Sequence, residues 1–545
     1  MFGILGSVKP HAHNLSEGVV FGCDPPGPVA CRRWLVSKVL LSLVDESIRS
    51  FMSEKEKVSR RRFLEVTGGA VVGLVVGGAV GYVAKPTVTA PPLTSTVTET
   101  VMGTVTASAA TTSSAASTGV PVLFNGTASL SFWNMPFVTQ EVSPSYVTQW
   151  QAAVKQALPN CTVDPYFGPG DYGPLRQKYL VQASTGTPDV IEGLLEDLDV
   201  YVTSGLVQPL DDYFNAWADK SQFVQSAITP LTINGKLYAI PYNVNARGLI
   251  YRKDVLAQYG LNVPTTWADF LTTSRTITQK TNKQMYGAFV CTLVGDPRAP
   301  QEFISWYFQV SNGKDMFVPG TGGAQPTLQA TQDQLTTVLK LYSDLFTPDP
   351  STGFSACDPN QRGTGWPVED PGYAAGKWAM APMGPWIWGR HTESATALDI
   401  LENKSVVTAL PLPPSGGPYT YFEVKPIAMN SNSKNKDAAW ALIEFICSKD
   451  EMGLWLASSG GIPARKDSLT IDAFTVGSPP AAGPFSTMFG AILNQGVALS
   501  PVNWAPVNEA NMKAVNYVVY GQKSPSDAAA WLISQIQGMI SSKVL

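Results

Sequence analysis

From about Val122 onward, short apolar runs alternate with stretches whose apolar residues recur at helical spacing, the rhythm of strand and amphipathic helix that builds α/β folds. Residues 128–133 predict a first strand. Residues 143–157 predict a helix, with Ser143 as its N-cap and Pro144 at the first helical position, where a missing N–H does no harm. Residues 161–167 predict a strand and 175–184 a helix, so the strand–helix unit repeats. Pro188-Asp189-Val190-Ile191 predicts the next strand, and residues 198–205 a short helix stopped by Gly205. Residues 236–241 and 248–252 predict two strands around a polar turn. Residues 254–260 predict a helix, and Thr266 caps another that opens at Trp267. Residues 424–429 predict a later strand, and residues 436–447 and 526–540 the most strongly helical pieces of the tail. No repeat of solenoid length is visible.

Length turns one core into two. A single hydrophobic core stops growing at roughly 250–300 residues, so a chain of 545 residues predicts two lobes. Charged residues make up 15% of the chain, against about 25% in ordinary domains, so Thr, Ser, Asn, Gln and Gly carry the polar surface. Such low charge density suggests an acidic exterior. A net charge of -4 excludes the basic footprint of a nucleic-acid binder.

The N-terminal region follows another pattern. Ser59-Arg60-Arg61-Arg62-Phe63-Leu64 precedes an uncharged stretch, residues 66–84, rich in Val, Ala and Gly: a twin-arginine export signal. Its 19 residues are just long enough to span a bilayer, so the segment is expected to remain as a membrane anchor. Residues 1–51 read as an upstream extension, with Met52 the natural start, and residues 52–86 as the signal and anchor. Residues 87–120, a Thr/Ser/Val/Ala tract with Pro91-Pro92, have no pattern that could bury a face and read as a stalk. Residues 121–545 remain for the two-lobed domain, held on the extracellular side.

Candidate chemistry is sparse. Cys23 and Cys31 fall in the extension, leaving Cys161, Cys291, Cys357 and Cys447 at spacings too wide for a zinc motif. Cys447 ends an apolar run and reads as a buried small hydrophobe. Export permits one disulfide, with Cys291 and Cys357 a candidate pair that the sequence leaves open. His11 and His13 also fall in the extension, so His391 stands nearly alone and histidine catalysis and metal binding are disfavoured. No metal or cofactor is expected. A Gly-x-Ser-x-Gly elbow and a phosphate loop are both missing.

Five pieces then occur in order. They are Gly186-Thr187-Pro188-Asp189-Val190 with Gly205-Leu206-Val207-Gln208-Pro209-Leu210; Asn234-Gly235-Lys236-Leu237-Tyr238-Ala239-Ile240-Pro241-Tyr242; Leu249-Ile250-Tyr251-Arg252-Lys253-Asp254 leading to Pro264-Thr265-Thr266-Trp267; Gly376-Lys377-Trp378-Ala379-Met380 followed by Gly384-Pro385-Trp386; and Ala438-Ala439-Trp440 through Gly460-Gly461-Ile462-Pro463-Ala464. Together, over about residues 128–540, they resemble the family 1 extracellular solute-binding proteins, the maltose-binding-protein-like receptors of ABC importers. The resemblance implies a type II periplasmic-binding-protein-like fold: two lobes, each a mainly parallel sheet flanked by helices, joined by more than one crossing, with the ligand in the cleft. It implies a monomeric receptor without catalytic residues that hands a solute to ABC permease subunits.

Sugars present apolar C–H faces and hydroxyl edges, so their receptors combine aromatic platforms with amides and carboxylates. The resemblance implies that Trp386, after Gly384-Pro385, stacks on the ligand; Trp388 is a second candidate. Trp133 and Asn134 end the first strand, where open α/β sheets bind ligands. Tyr242, Asn243 and Asn245 fall where the family places cleft polar groups, although the maltose-binding relative has a carboxylate where Asn245 stands. Glu192, Glu196 and Asp197 follow the Pro-Asp-Val strand, one of them expected to reach the ligand and the others to face solvent. Tyr421, Phe422 and Glu423 precede the 424–429 strand. Gly461, beside Gly460, lets backbone approach closely, and Trp504, in a loop flanked by prolines, is a third platform or a hydrophobic plug. A carbohydrate, an oligosaccharide in particular, is the expected solute. Other solutes remain open: a polyamine, a metal chelate, a peptide, or a phosphorylated polyol held by Arg247 and Arg390. So do a glycan hydrolase using Glu192 and Glu423, and a surface-layer protein.

Overall fold

The computed structural model describes residues 120–134, 144–167, 172–320, 324–477 and 480–545. The upstream extension, the twin-arginine segment, the stalk and the Ser143 cap lie outside these residues. Among the described residues no helix is long and apolar enough to cross a membrane.

The chain opens as its pattern predicts. Strands β1 (Ala128–Asn134), β2 (Cys161–Phe167) and β3 (Val190–Glu192) form a parallel group with β1 in the middle, and the helices Pro144–Ala157 and Tyr172–Gln182 connect them. The second helix starts earlier than expected because Pro174 falls in its first turn, where proline is tolerated. A ribbon of β4 (Thr232–Ile233) and β5 (Lys236–Leu237) turns through Asn234 and Gly235, whose φ of 51° and 76° give the tight hairpin geometry that Asn-Gly favours. Then β6 (Ala239–Ala246) runs into β7 (Gly248–Arg252) with only Arg247 between them. After β8 (Tyr286–Ala288) and a second ribbon, β9 (Phe317–Val318) with β10 (Thr327–Leu328), come β11 (Trp378–Met383), β12 (Ser405–Thr408), β13 (Thr420–Met429), β14 (Ile462–Pro463) and β15 (Gly496–Val497).

Two sheets result. One has the order β14-β6-β13-β3-β1-β2, with β15 paired to β13; the other has the order β12-β7-β11-β8. Each is the floor of a lobe. The chain passes between them at Arg247, between β12 and β13, and again between β14 and the C-terminal helices. The two-lobed α/β expectation therefore holds, but the sheets are mixed rather than mainly parallel. In the first lobe the crossing strands β6 and β13 lie antiparallel to each other, and β13 lies antiparallel to β3; in the second, β7 lies antiparallel to both β11 and β12.

Two local expectations fail for one reason. The polar turn expected after Pro241 is the second half of β6, and Tyr421 to Glu423 lie inside β13 rather than before it; every residue of β6 is buried. With both faces covered, these strands lose the alternation that marks a half-exposed strand, and their Asn and Glu residues imitate a turn. Trp504 sits in no loop either: it begins the helix Trp504–Val519, capped by Asn503, with Pro506 in the first turn.

The helices follow their caps. Thr266 and Asp269 form the reciprocal capping box at the start of Trp267–Lys280. Helices Trp504–Val519 and Pro525–Ser541 pack on Gln332–Phe346 and complete the second lobe. In the first lobe Trp150 packs against Phe132, Phe445 and Trp455. Asp189 of the Pro-Asp-Val motif is a structural tie, accepting from the Ser131 backbone N–H at 2.8 Å and from the Ser433 hydroxyl at 2.6 Å. Cys161, Cys291, Cys357 and Cys447 are buried and free, so the Cys291–Cys357 disulfide does not form and Cys447 is the buried hydrophobe expected.

Candidate functional site

Arg247 is the only residue between β6 of one lobe and β7 of the other, and its side chain is 1% exposed. A buried guanidinium must be paired, and partners converge on it from both lobes. Glu423 of β13 accepts from Nη1 at 3.2 Å, and Gln301 Oε1 accepts from Nη2. Asn245, opposite Glu423 in the β6/β13 register, donates Nδ2 to Glu423 Oε2 at 3.3 Å. The Thr420 hydroxyl donates to the Arg247 carbonyl at 2.9 Å, tying the second crossing to the first.

Gln301 carries this network across the cleft. It lies on the helix Arg298–Val310 of the second lobe, and its Nε2 donates to Glu196 Oε1 at 2.7 Å, in the first turn of the first-lobe helix Leu195–Thr203. The two carboxylates then part in character. Burial, reinforced by the charge of Glu423, pushes Glu196 up to about 7. Burial also acts to raise Glu423, but the charges of Lys425 and Arg247 and the Asn245 and Arg247 hydrogen bonds outweigh it and hold that carboxyl below its usual range.

Trp386 forms the wall of this seam. It follows Pro385 in the tight helical run Pro385–Thr392, is 8% exposed, and has the guanidinium carbons of both Arg247 and Arg298 at 4.4 Å from its ring centroid. Gly384 is required there because a Cβ would run into the indole ring. Arg298 is itself fixed by Asp370, whose two oxygens accept from Nη1 at 2.6 Å.

Beside the seam lies a cavity of about 310 Å³. Tyr172, Arg176, Gln177, Glu196 and Asp197 line it from the first lobe, and Asp296, Pro300, Asn508 and Glu509 from the second. Arg176 donates to Asp197 Oδ1 at 3.0 Å, while burial raises the Asp197 carboxyl despite that partner. Glu196 Oε2 and Asn508 Oδ1 are buried without hydrogen-bond partners, so two acceptors belonging to this wall await donors.

The sequence-predicted residues divide into groups. Glu196 and Asp197 line the cavity, and Asn245, Glu423 and Trp386 form the seam behind it. Asn134, Glu192 and Tyr242 line a separate, water-sized cavity of about 10 Å³, with Glu192 accepting from the Tyr172 hydroxyl at 2.8 Å. Glu192, Glu196 and Asp197 are all buried, so the expected solvated face is corrected: they continue from a buried strand into a helix covered by the opposite lobe. Trp133 is buried with the Lys178 ammonium 4.4 Å from its ring centroid. The remaining candidates are packed. Asn243 Oδ1 accepts from the Ile462 N–H at 3.3 Å, and Gly461 makes room for the Asn243 amide. Trp388 stacks on His391 with centroids 4.2 Å apart and donates to the Ala481 carbonyl, Phe422 is buried beside Gly496, and Trp504 is a plug that donates to the Ser500 carbonyl and meets Phe317 edge-on. Sequence reasoning missed Tyr172, Arg176, Gln177, Asp296, Gln301, Asn508 and Glu509 as site residues. None stands in a motif; they meet only because the lobes face each other.

Two lobes, separate sheets and repeated crossings define a solute-binding protein of the type II periplasmic class. The sequence profile of the bacterial extracellular solute-binding protein family matches residues 143–453, and the chain belongs to that family. A Brucella abortus (strain 2308) protein described as a binding protein is 25% identical over 366 residues, covering 63% of this chain and 80% of its own. Maltose-bound MalE3 of T. maritima superposes with a TM-score of 0.64 at 18% identity, covering 76% of this chain and 100% of its own. An ABC transporter solute-binding protein of Thermotoga lettingae TMO, bound with α-D-tagatose, superposes with a TM-score of 0.62 at 20% identity, covering 76% and 99%. These two structures establish likeness of fold.

Proposed function

We propose that this protein captures a carbohydrate, an oligosaccharide in particular, between its lobes outside the cell and delivers it to an ABC permease. The observation that carries this reading is the cavity of about 310 Å³ lined from both lobes by a phenol, amides, carboxylates and a guanidinium. That volume lies within the range of about 300–1,000 Å³ common to small-molecule sites. Its unpartnered acceptors, Glu196 Oε2 and Asn508 Oδ1, suit hydroxyl donors. Maltose and tagatose in the two similar folds support the same class. Export by the twin-arginine segment, tethering by residues 66–84 and a monomeric receptor complete the proposal.

A thermal-shift panel on residues 120–545 tests it. A ligand that binds only the folded state and is present at 100 times its Kd stabilises by about 2.7 kcal/mol, so a saccharide that fits raises the melting temperature in a concentration-dependent way. Arg176→Ala is expected to abolish that shift. Four carboxylates, Glu196, Asp197, Asp296 and Glu509, line the cavity beside one guanidinium, which favours a cationic solute as the second reading. Spermidine therefore belongs in the panel: a shift with spermidine and none with any saccharide would replace the carbohydrate assignment, and release of reducing ends would replace binding by hydrolysis.

A further inference from the structure

The second lobe contains a group of ionisable side chains that the cleft does not use. Cys291 lies just after β8, Glu302 on the helix Arg298–Val310 and Glu369 on the helix Trp366–Ala374; none is more than 1% exposed. One ligand atom from each, the thiol sulfur and two carboxylate oxygens, lies within 4.8 Å of the others. The Cys291 thiol donates to Glu369 Oε2 at 3.3 Å, and the Cys291 backbone N–H donates to Glu302 Oε2 at 2.9 Å.

A second observation points to a missing occupant. The Tyr342 hydroxyl, fully buried, has no hydrogen-bond partner, and besides its burial the charges of Glu302, Cys291 and Glu369 act on its phenol. Glu369 Oε1 is likewise buried and unpartnered. Polar atoms left unsatisfied in a core are destabilising, and two carboxyl groups beside a thiol in a dry interior need protons or a cation between them.

We propose that Cys291, Glu302 and Glu369 bind one thiophilic divalent cation of the zinc kind, with Glu369 Oε1 and the Tyr342 hydroxyl available to fill its coordination. The donor set of one sulfur and two carboxylates suits zinc or cadmium better than calcium or magnesium, which take oxygen alone. Bonds of about 2.0–2.3 Å require only a modest drawing together of the three side chains. The metal displaces the thiol proton and the protons that the two buried carboxyls hold in its absence; these protons leave to solvent, and no electron is transferred. Such a cation would clamp the Arg298–Val310 helix, which presents Arg298 and Gln301 to the interlobe seam, onto the Trp366–Ala374 helix. Linear spacing conceals the site because its partners stand 11 and 78 residues from Cys291.

The test uses the full chain with Cys23 and Cys31 replaced by serine, stripped with a chelator and titrated with cadmium chloride. The expected result is a thiolate-to-cadmium absorption band in the ultraviolet that saturates at one equivalent, a rise in melting temperature, and loss of the band on adding excess zinc. Cys291→Ser should lose the band, while Cys161→Ser and Cys447→Ser keep it. Glu369→Gln, which preserves shape, should bind cadmium at least about tenfold more weakly and keeps the test decisive if the cysteine variant does not fold. No band at saturating cadmium, a band that survives in Cys291→Ser, or wild-type affinity in Glu369→Gln would each overturn the proposal.

Discussion

Replacing Arg247 with methionine is expected to lower the unfolding free energy by about 3–5 kcal/mol in denaturant titrations, the usual consequence of breaking a buried ion pair from one side. The size follows from what is left behind. Glu423 stays buried with only the Asn245 and Gln301 amides donating to it, Gln301 Oε1 loses the guanidinium, and Trp386 loses one of its two cationic neighbours. Adding Glu423→Gln to Arg247→Met should recover most of the loss, because the double variant removes the stranded charge as well as its partner. Equal destabilisation by the single and double variants would mean that Arg247 acts by packing alone. The exposed pair Lys340–Asp344, at 2.7 Å and four residues apart on one helix, is the contrast: its removal should change stability by no more than about 0.5 kcal/mol.

Stability should also fall as pH rises from about 5 to about 8. Glu196 is raised to about 7, chiefly by burial and then by Glu423, and Glu451 to about 7, chiefly by burial and then by Asp450. A carboxyl whose folded value lies above its unfolded value favours folding fully below the unfolded value, and that contribution is lost as pH climbs through the folded one. For Glu196 the displacement from the usual 4.5 corresponds to about 3 kcal/mol. Glu423 works in the opposite sense: its folded value is depressed, so its contribution is present above the ordinary carboxylate range and lost as pH falls through the folded value. Together they place the optimum at about pH 4–5, in keeping with the low charge density of the chain. Melting temperatures between about pH 3 and 9 check this, and Glu196→Gln, a mimic of the protonated side chain, should flatten the alkaline limb. A protein most stable at pH 8 would contradict the assignment.

Much of the scaffold was legible along the chain. The strands at the start, the Thr266 cap and the helices expected at 436–447 and 526–540 stand within a few residues of their predicted bounds because their patterns are strongly periodic or their ends carry capping residues. The crossing strands were not, because β6 and β13 are buried on both faces and carry Asn243, Asn245 and Glu423 where a strand pattern calls for alternation. The site followed the same division. Motifs and strand ends single out Trp386, Asn245, Glu196 and Glu423 as candidates, whereas Gln301 and Arg176 have no local signal and meet their partners only across long stretches of chain. Trp388 and Trp504 stand in a polar, glycine- and proline-rich context that leaves platform and plug equally open along the sequence, and in the fold each spends its indole N–H on a carbonyl and packs its ring against a neighbouring aromatic side chain.

Everything functional rests on the lobes closing over a solute between the helices Tyr172–Gln182 and Trp504–Val519. Spin labels at Gln177→Cys and Glu509→Cys, on opposite walls of the cavity, report that gap by pulsed dipolar spectroscopy, with Cys23 and Cys31 replaced by serine and the other native cysteines buried. With the saccharide that raises the melting temperature, one short, narrow distance is expected, and without it a longer and broader distribution. Identical distributions in both conditions at saturating saccharide would contradict capture by closure.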